Sequence, residues 1–313
     1  MSKTTADLLP CGDPVQFLNE QGELTGPGEE AEARGYLMPS DEDLLAVWRQ
    51  MVIGRRFDAQ ATALTKQGRL AVYPSSRGQD ACQVAPVLAL QEHDWFFPTY
   101  RDSMALVSRG LDPVEVLTLL RGSWHCGYDP VANNTAPQCT PLATQAVHAA
   151  GAGHGLARRG SDGVALCFIG DGATSEGDFH EGLNFAAVFN APTVYFVQNN
   201  KYAISVPLAK QTKAPSLAYK GIGYGIRSEQ VDGNDAAAVL GHQTGQPIGR
   251  KHRRAAGIVG HRHPTDSPVG QHRGVGHAHG YGVGAERHVL LVGYVEVGAR
   301  NGRKLRYLAV QGP

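Results

Sequence analysis

The sequence predicts an α/β protein with an open, mostly parallel sheet and helices on both faces. Three observations carry this. Residues 164–169 (VALCFI) and 193–197 (TVYFV) are short apolar runs rich in β-formers, as suits strands buried on both faces. Between them lies a helical stretch stopped by Ala191-Pro192. Together they make one strand–helix–strand unit of about 30 residues, which crosses over right-handed and leaves its strands parallel.

The remaining elements follow from local chemistry. Residues 1–39 carry scattered Pro and Gly without helical period and read as an extended arm or as a disordered leader. Ser40 and Asp43 form a capping box with Asp in place of Glu. Leu44, Leu45, Val47, Trp48, Met51 and Val52 then recur at helical spacing, which predicts a helix to about Gln67, stopped by Gly68, with Trp48 and Met51 in the core. A second helix is expected over 79–90, after a turn at 75–78, and a strand over 94–97, ended by Pro98. Asp112-Pro113 is a cap followed by proline at the first helical position, opening a helix to Arg121. The loop 122–140 contains His125 and Cys126, but no second ligand at a metal spacing. Residues 141–158 form a helix rich in small residues. Its GAGHG follows no strand, so Gly151, Gly153 and Gly155 read as sites of close helix packing rather than a dinucleotide fingerprint. Ser175 is expected to cap the next helix, which runs to about Asn190 with Glu176 and Asp178 in its first turn. Past Pro207 come a helix over 214–220, a strand over 225–230, and a turn and cap at 231–235 opening a helix at Ala236.

Composition removes several classes of function. With 29 basic and 29 acidic residues the formal charge is zero, so no nucleic-acid or anionic-membrane partner is expected. No apolar run would span a bilayer, and the polar first residues contain no signal-peptide core. Cys11, Cys82, Cys126, Cys139 and Cys167 are odd in number and lack metal spacing, which fits reduced thiols in a cytoplasm.

The chemistry is expected at two strand ends. Asp171 sits between two glycines after the first strand of the unit, and Asn200, 29 residues on, follows the second. Ligands of open parallel sheets bind at that carboxyl edge. A carboxylate and an amide oxygen are hard donors that suit Mg2+, which takes few protein ligands and lets a phosphate supply others. The reading is a Mg2+–diphosphate site. Arg101 follows the 94–97 strand, where a guanidinium can either fork a diphosphate or make a surface ion pair.

The text GDGATSEGDFHEGLNFAA, VQNNKYAISVP, TPLATQ and GYGIRSEQVDGNDAAAV resembles the alpha subunit of the thiamine-diphosphate-dependent bacterial 2-oxo acid dehydrogenases, over residues 12–240. The resemblance implies the thiamine-diphosphate-binding fold, with thiamine diphosphate and Mg2+ as cofactors. It implies that Asp171, Asn200 and the Tyr202 carbonyl ligate the metal. Gly172 and Ala173 would offer N–H groups to the diphosphate, Tyr100 and Arg101 would grip it, and Gln198 stands where some relatives carry Arg. Thr140 and Leu142 would contact the aminopyrimidine ring, and Thr144 and Gln145 lie near a structural monovalent cation in some relatives. The carboxylate that activates the cofactor would come from a beta subunit in an alpha2-beta2 heterotetramer, so no catalytic residue is assigned on this chain. The arm would pack on a neighbouring subunit, and the product would pass to the lipoyl domain of an acyltransferase. The wording leans to branched-chain 2-oxo acids as substrates, with pyruvate next and acetoin as a further alternative.

Near Leu240 the text changes character. Residues 241–313 hold eight of the thirteen histidines and few acids. They read as a basic disordered tail, as a His-rich metal segment (His261, His263, His272, His277, His279), or as the product of a reading-frame shift inside the family gene. The organisation expected is therefore an arm (1–39), a cofactor-binding domain (40–240) and a non-family tail (241–313). In relatives the replaced part supplies a helix, a strand and a His near the cofactor. Its loss predicts an exposed sheet edge, marginal folding and an inactive subunit that only binds partners as the alternative function. Only 289–297 in the tail regains a strand-like period.

Overall fold

The computed structural model describes residues 8–19, 21–245 and 290–296. In chain order the elements are α1 (Glu29–Ala33), α2 (Asp41–Lys66), α3 (Asp80–Leu88), β1 (Trp95–Phe97), α4 (Ser103–Ser108), α5 (Pro113–Thr118), α6 (Thr144–Arg158), β2 (Ala165–Gly170), α7 (Gly177–Val188), β3 (Thr193–Asn199), β4 (Tyr202–Ala203), β5 (Val206–Pro207), α8 (Tyr219–Ile222), β6 (Arg227–Asp232), α9 (Ala236–Gly245) and β7 (Leu290–Glu296). The main sheet has the order β1-β2-β3-β7-β6 and every pair in it is parallel.

The strand period of two sorts the core into two layers. Leu166 and Phe168 join Phe96, Val194 and Phe196 under α2, α3, α4 and α9. Ala165, Cys167 and Ile169 join Tyr195 and Val197 under α6 and α7. Helices therefore cover both faces, as expected for strands that are apolar on both sides.

Caps behave as their residues predict in two helices. Ser40 Oγ accepts from the Asp43 backbone amide at 3.2 Å and donates to the Asp43 carboxylate at 2.7 Å. Asp112 accepts from the amides of Val114 and Glu115, with Pro113 first in α5. Elsewhere the structure differs from expectation. Ser175 lies in a 3-10 turn, and α7 starts two residues later after Glu176, which makes no side-chain cap. Helix α6 starts at Thr144, because Ala143 takes a left-handed φ of 69°. The helix expected over 214–220 is the single turn α8. Trp48 is 45% exposed on α2 rather than in the core, while Met51 is half-buried against it.

The two sheet edges nearest β6 also differ. The arm, read as extended or disordered, is ordered over its described residues and packs on the chain's own β6. Val15 N–H donates to Gln230 O at 2.9 Å, and Asp232 N–H to Val15 O at 3.0 Å. Phe17 and Tyr36 are fully buried, and Arg34 pairs with the buried Glu229 at 2.7 Å. On the other side, β7 fills the slot between β3 and β6, with Thr193 opposite Leu290 and Arg227 opposite Leu291. The gap expected from the tail is thus occupied by its one strand-like run. The five tail histidines named above lie outside the described residues.

Only some of the glycines in this small-residue packing work as expected. A Cβ on Gly153 would run into Thr193 Oγ1, so this glycine serves the contact of α6 with β3, whereas Gly151 has open space around it. The close helix–helix contact is made by Gly182 of α7, where a Cβ would lie 2.8 Å from the Ala146 carbonyl carbon of α6. The Tyr195 hydroxyl lies within reach of the carbonyls of Ala146 and Gly182 and ties β3 to that junction. Gly182→Ala is expected to force the helices apart and destabilise by roughly 1–3 kcal/mol. Gly151→Ala is expected to stabilise by roughly 0.5–1 kcal/mol through helix propensity. Denaturant midpoints of the two variants check this; equal shifts of the same sign would refute it.

Candidate cofactor site

Strand adjacency brings the expected residues to one rim. In β2 and β3 Gly170 stands opposite Gln198, so Asp171 and the Asn199-Asn200 pair leave the sheet side by side. Strand β1 flanks β2 on its other side, with Phe97 opposite Cys167, and leads into Tyr100 and Arg101. The carboxyl ends of three neighbouring strands thus carry a cationic group, a carboxylate and an amide in that order.

Asp171 is 2% exposed. Burial pushes its carboxyl above the usual carboxylate range. The Gln211 side chain and the backbone amides of Asp171, Gly172 and Asn200 oppose that shift. The Asn200 backbone is therefore close to the Asp171 carboxylate. Gln211 Nε2 donates to Asp171 Oδ2 at 3.0 Å. Gly172 and Ala173 open the following 3-10 turn. A Cβ on Gly172 would meet Ala203 Cβ at 2.6 Å, so the β4–β5 hairpin lies directly on this turn. Thr174 bonds back to Asp171 O through both its N–H and its hydroxyl, and Lys220 Nζ clamps Thr174 from outside at 2.7 and 2.8 Å.

Asn200 Oδ1 accepts from Tyr202 N–H at 3.0 Å, and Asn199 Oδ1 accepts from Lys201 N–H at 3.0 Å. These two side chains form the tight turn into the hairpin, in which Lys201 and Ile204 hold left-handed φ values of 69° and 56°. Tyr202 is 57% exposed on β4. Behind the hairpin runs a groove of about 600 Å3 lined by Lys201, Tyr202, Leu208, Thr212, Lys213 and Leu217; Asp171 is not among its lining residues.

Tyr100 and Arg101 sit in a tied loop. Tyr100 N–H donates to Cys139 O at 3.0 Å, which runs Thr140 alongside it. Thr140 is exposed, and Leu142 is half-buried against the core layer that contains Ala173. The Arg101 guanidinium lies 5.6 Å from the Tyr100 ring centroid and donates to Ser75 O at 2.9 Å. Ser75 in turn belongs to a loop held by Asp58 of α2, a buried carboxylate that accepts from the Tyr73 hydroxyl, the Ser75 hydroxyl and the Ser76 amide. Thr144 reaches Asp178 at 3.3 Å. Gln145 Nε2 donates to Phe168 O, and its Oε1 is buried without a partner among the described residues.

Gln198 does not join the rim. The pleat of β3 turns its side chain toward the α2–α4 layer, where it is 5% exposed. There Gln198 Nε2 donates to Asp102 Oδ1 at 2.6 Å, and its Oε1 accepts from Gln83 Nε2 at 3.2 Å. Its two amide hands are committed inside the protein. Asp58, Asp102 and Gln211 are the residues that sequence reading missed.

The oxygen donors along this rim have the chemistry that suits a hard cation. Asp171 supplies a buried carboxylate, Asn200 an amide oxygen that accepts from Tyr202 N–H, and Gln211 Oε1 is a buried acceptor without a donor among the described residues. No group of three or more His, Cys, Asp or Glu suited to a metal occurs among the described residues. No helix among the described residues is long and apolar enough to cross a membrane.

Comparison with known proteins identifies a family and named relatives. A family model described as dehydrogenase E1 component matches residues 48–242. A protein of Mycobacterium tuberculosis named 3-methyl-2-oxobutanoate dehydrogenase subunit alpha is 44% identical over 226 residues, 72% of this chain and 60% of the relative. A Staphylococcus aureus protein named pyruvate dehydrogenase E1 component subunit alpha is 39% identical over 239 residues, 76% of this chain and 62% of the relative. The chain thus spans about three fifths of the length of these relatives.

Proposed function

This chain belongs to the dehydrogenase E1 component family, and from that premise we propose that it is the cofactor-binding alpha subunit of a 2-oxo acid dehydrogenase. The single observation that carries the reading is the shared rim of Asp171 and Asn200 on adjacent parallel strands. The proposed cofactors are thiamine diphosphate and Mg2+. Thiamine diphosphate, when bound, supplies the carbanion chemistry by which a 2-oxo acid loses carbon dioxide.

The chain's own residues bind and orient. Asp171, Asn200 and the Tyr202 carbonyl would hold Mg2+. Gly172 and Ala173 would present N–H groups to the diphosphate, and Tyr100 and Arg101 would grip it from the β1 side. Thr140 and Leu142 would line the aminopyrimidine. Gln198, facing inward, would act on the site only through the Asp102 turn. The activating carboxylate would come from a beta subunit in an alpha2-beta2 heterotetramer, with a lipoyl domain receiving the acyl group and the cytoplasm as location. The arm, residues 1–39, the domain, 40–240, and the tail, 241–313, remain the proposed division. The end of the family match at residue 242 supports it.

The higher identity to the relative named for 3-methyl-2-oxobutanoate supports a branched-chain substrate over pyruvate. The end of the family match at residue 242, inside the chain, favours one second reading, a subunit that binds cofactor and partner without turnover. Decarboxylation should be assayed on the full chain with a beta subunit, Mg2+ and thiamine diphosphate. Turnover of 3-methyl-2-oxobutanoate ahead of pyruvate and acetoin is the expected result. Cofactor binding without turnover of any of the three would select the second reading.

A further inference from the structure

We propose that Gln211 is a positioning residue for the metal ligand Asp171, fixing the orientation in which its carboxylate meets the cation. The inference rests on the cofactor reading above and goes beyond its ligand set. Gln211 follows the β4–β5 hairpin and is 40 residues from Asp171. Its Nε2 donates to Asp171 Oδ2 at 3.0 Å and to Val206 O at 2.9 Å, so both amide hydrogens are used. Its own N–H is fixed to Leu208 O at 2.8 Å. One side chain therefore joins the end of β2 to the hairpin that follows β3, which are the two elements that carry Asp171 and Tyr202.

Two consequences follow. With Gln211 on Oδ2 and the backbone amides of Gly172 and Asn200 beside the carboxylate, Asp171 cannot rotate freely, and Gln211 fixes the orientation in which it would meet a metal. The Gln211 Oε1, in contrast, is buried and accepts nothing from the described residues. A buried amide oxygen costs free energy until it is met, and a cation or a metal-bound water is the group that meets it. Outer partners of metal-binding carboxylates typically set 10–100-fold in affinity.

The test uses the full chain co-purified with a beta subunit and Mn2+ as the probe at fixed thiamine diphosphate. Free and bound Mn2+ are read by electron paramagnetic resonance. Gln211→Leu is expected to weaken Mn2+ binding about 10–100-fold and to alter the spectrum of the bound ion. Gln211→Met, which keeps the length and loses the donor, substitutes if the leucine variant does not fold. Affinity within twofold of wild type overturns the proposal, as does a weaker site whose bound spectrum is unchanged, because a purely structural tie would leave the ligand geometry intact. Asp171→Asn separates the metal site from its positioning by Gln211. If it abolishes Mn2+ binding while the Gln211 variants bind normally, only the positioning role fails. If it binds Mn2+ like wild type, the cofactor reading fails and the proposal with it.

Discussion

Asp171→Ala is expected to abolish Mg2+-dependent binding of thiamine diphosphate while the chain stays folded. The site offers one anion to the cation, and the other oxygens on the rim are neutral amides. Removing that anion takes away the charge-assisted contact on which the rest of the coordination is built, a loss of 100-fold or more, or about 2.7 kcal/mol. The fold should tolerate the change, since the carboxylate is held at a cost. Burial raises its pKa, so in the ionised form it subtracts stability instead of adding it. What the fold loses is the hydrogen bond from Gln211 and those from the nearby backbone amides, each about 1 kcal/mol net and offset by the relief of burying the carboxylate. Calorimetric titration of thiamine diphosphate with and without Mg2+ measures the effect. A variant that keeps wild-type affinity, or that binds equally with and without Mg2+, removes Asp171 from the metal site.

How much of this was legible depended on whether a feature is local. The strands 165–170 and 193–199 could be read because their apolar runs are long enough to be buried on both faces, and parallel pairing then fixes which ends meet. Asp171 and Asn200 follow from that rule alone. Gln198 occupies the same strand end, yet its direction depends on the pleat, and one residue of phase turns it into the α2–α4 layer. Gln211 and Asp58 act across 40 and 15 to 18 residues through side-chain hydrogen bonds, which leave no period in the sequence. The arm is held by isolated anchors, Phe17 and Tyr36 and the Arg34–Glu229 pair, so it reads as featureless text although it is packed. The strand at 290–296 had only its apolar run as a signal, and the slot it fills was defined by strands distant in sequence.

Asp102→Ala is expected to produce the largest loss of stability among single changes near the site. Asp102 is fully buried and accepts four hydrogen bonds: Thr99 N–H at 2.6 Å, the Thr99 hydroxyl at 2.7 Å, Gln198 Nε2 at 2.6 Å and Gln83 Nε2 at 3.1 Å. The first two close the turn that carries Tyr100 and Arg101, and the last two fasten that turn to β3 and α3. Alanine leaves these buried donors without an acceptor at roughly 1–3 kcal/mol for each one that water does not reach. A net loss of about 3 kcal/mol would lower the thermal midpoint by roughly 6–12 °C for a domain of this size. Cofactor affinity should fall with it, because Arg101 loses its fixed backbone. Asp102→Asn keeps an acceptor for Thr99 and lets a rotated Gln198 meet the new amide, so its loss should be smaller. The two changes also differ in their pH dependence. Burial raises the Asp102 carboxyl above its ordinary value, with the Gln198 and Thr99 bonds opposing the shift. Ionising such a group costs the folded state: the cost is absent below the ordinary aspartate value and grows until pH passes the raised folded value. Asparagine does not ionise, so wild type should lose ground to Asp102→Asn as pH rises through that window. Thermal midpoints of the three proteins between pH 4 and pH 8 measure both effects. An alanine variant within 1 °C of wild type, or a wild type that gains on the asparagine variant with rising pH, would show that Asp102 does not organise this turn as a buried carboxylate.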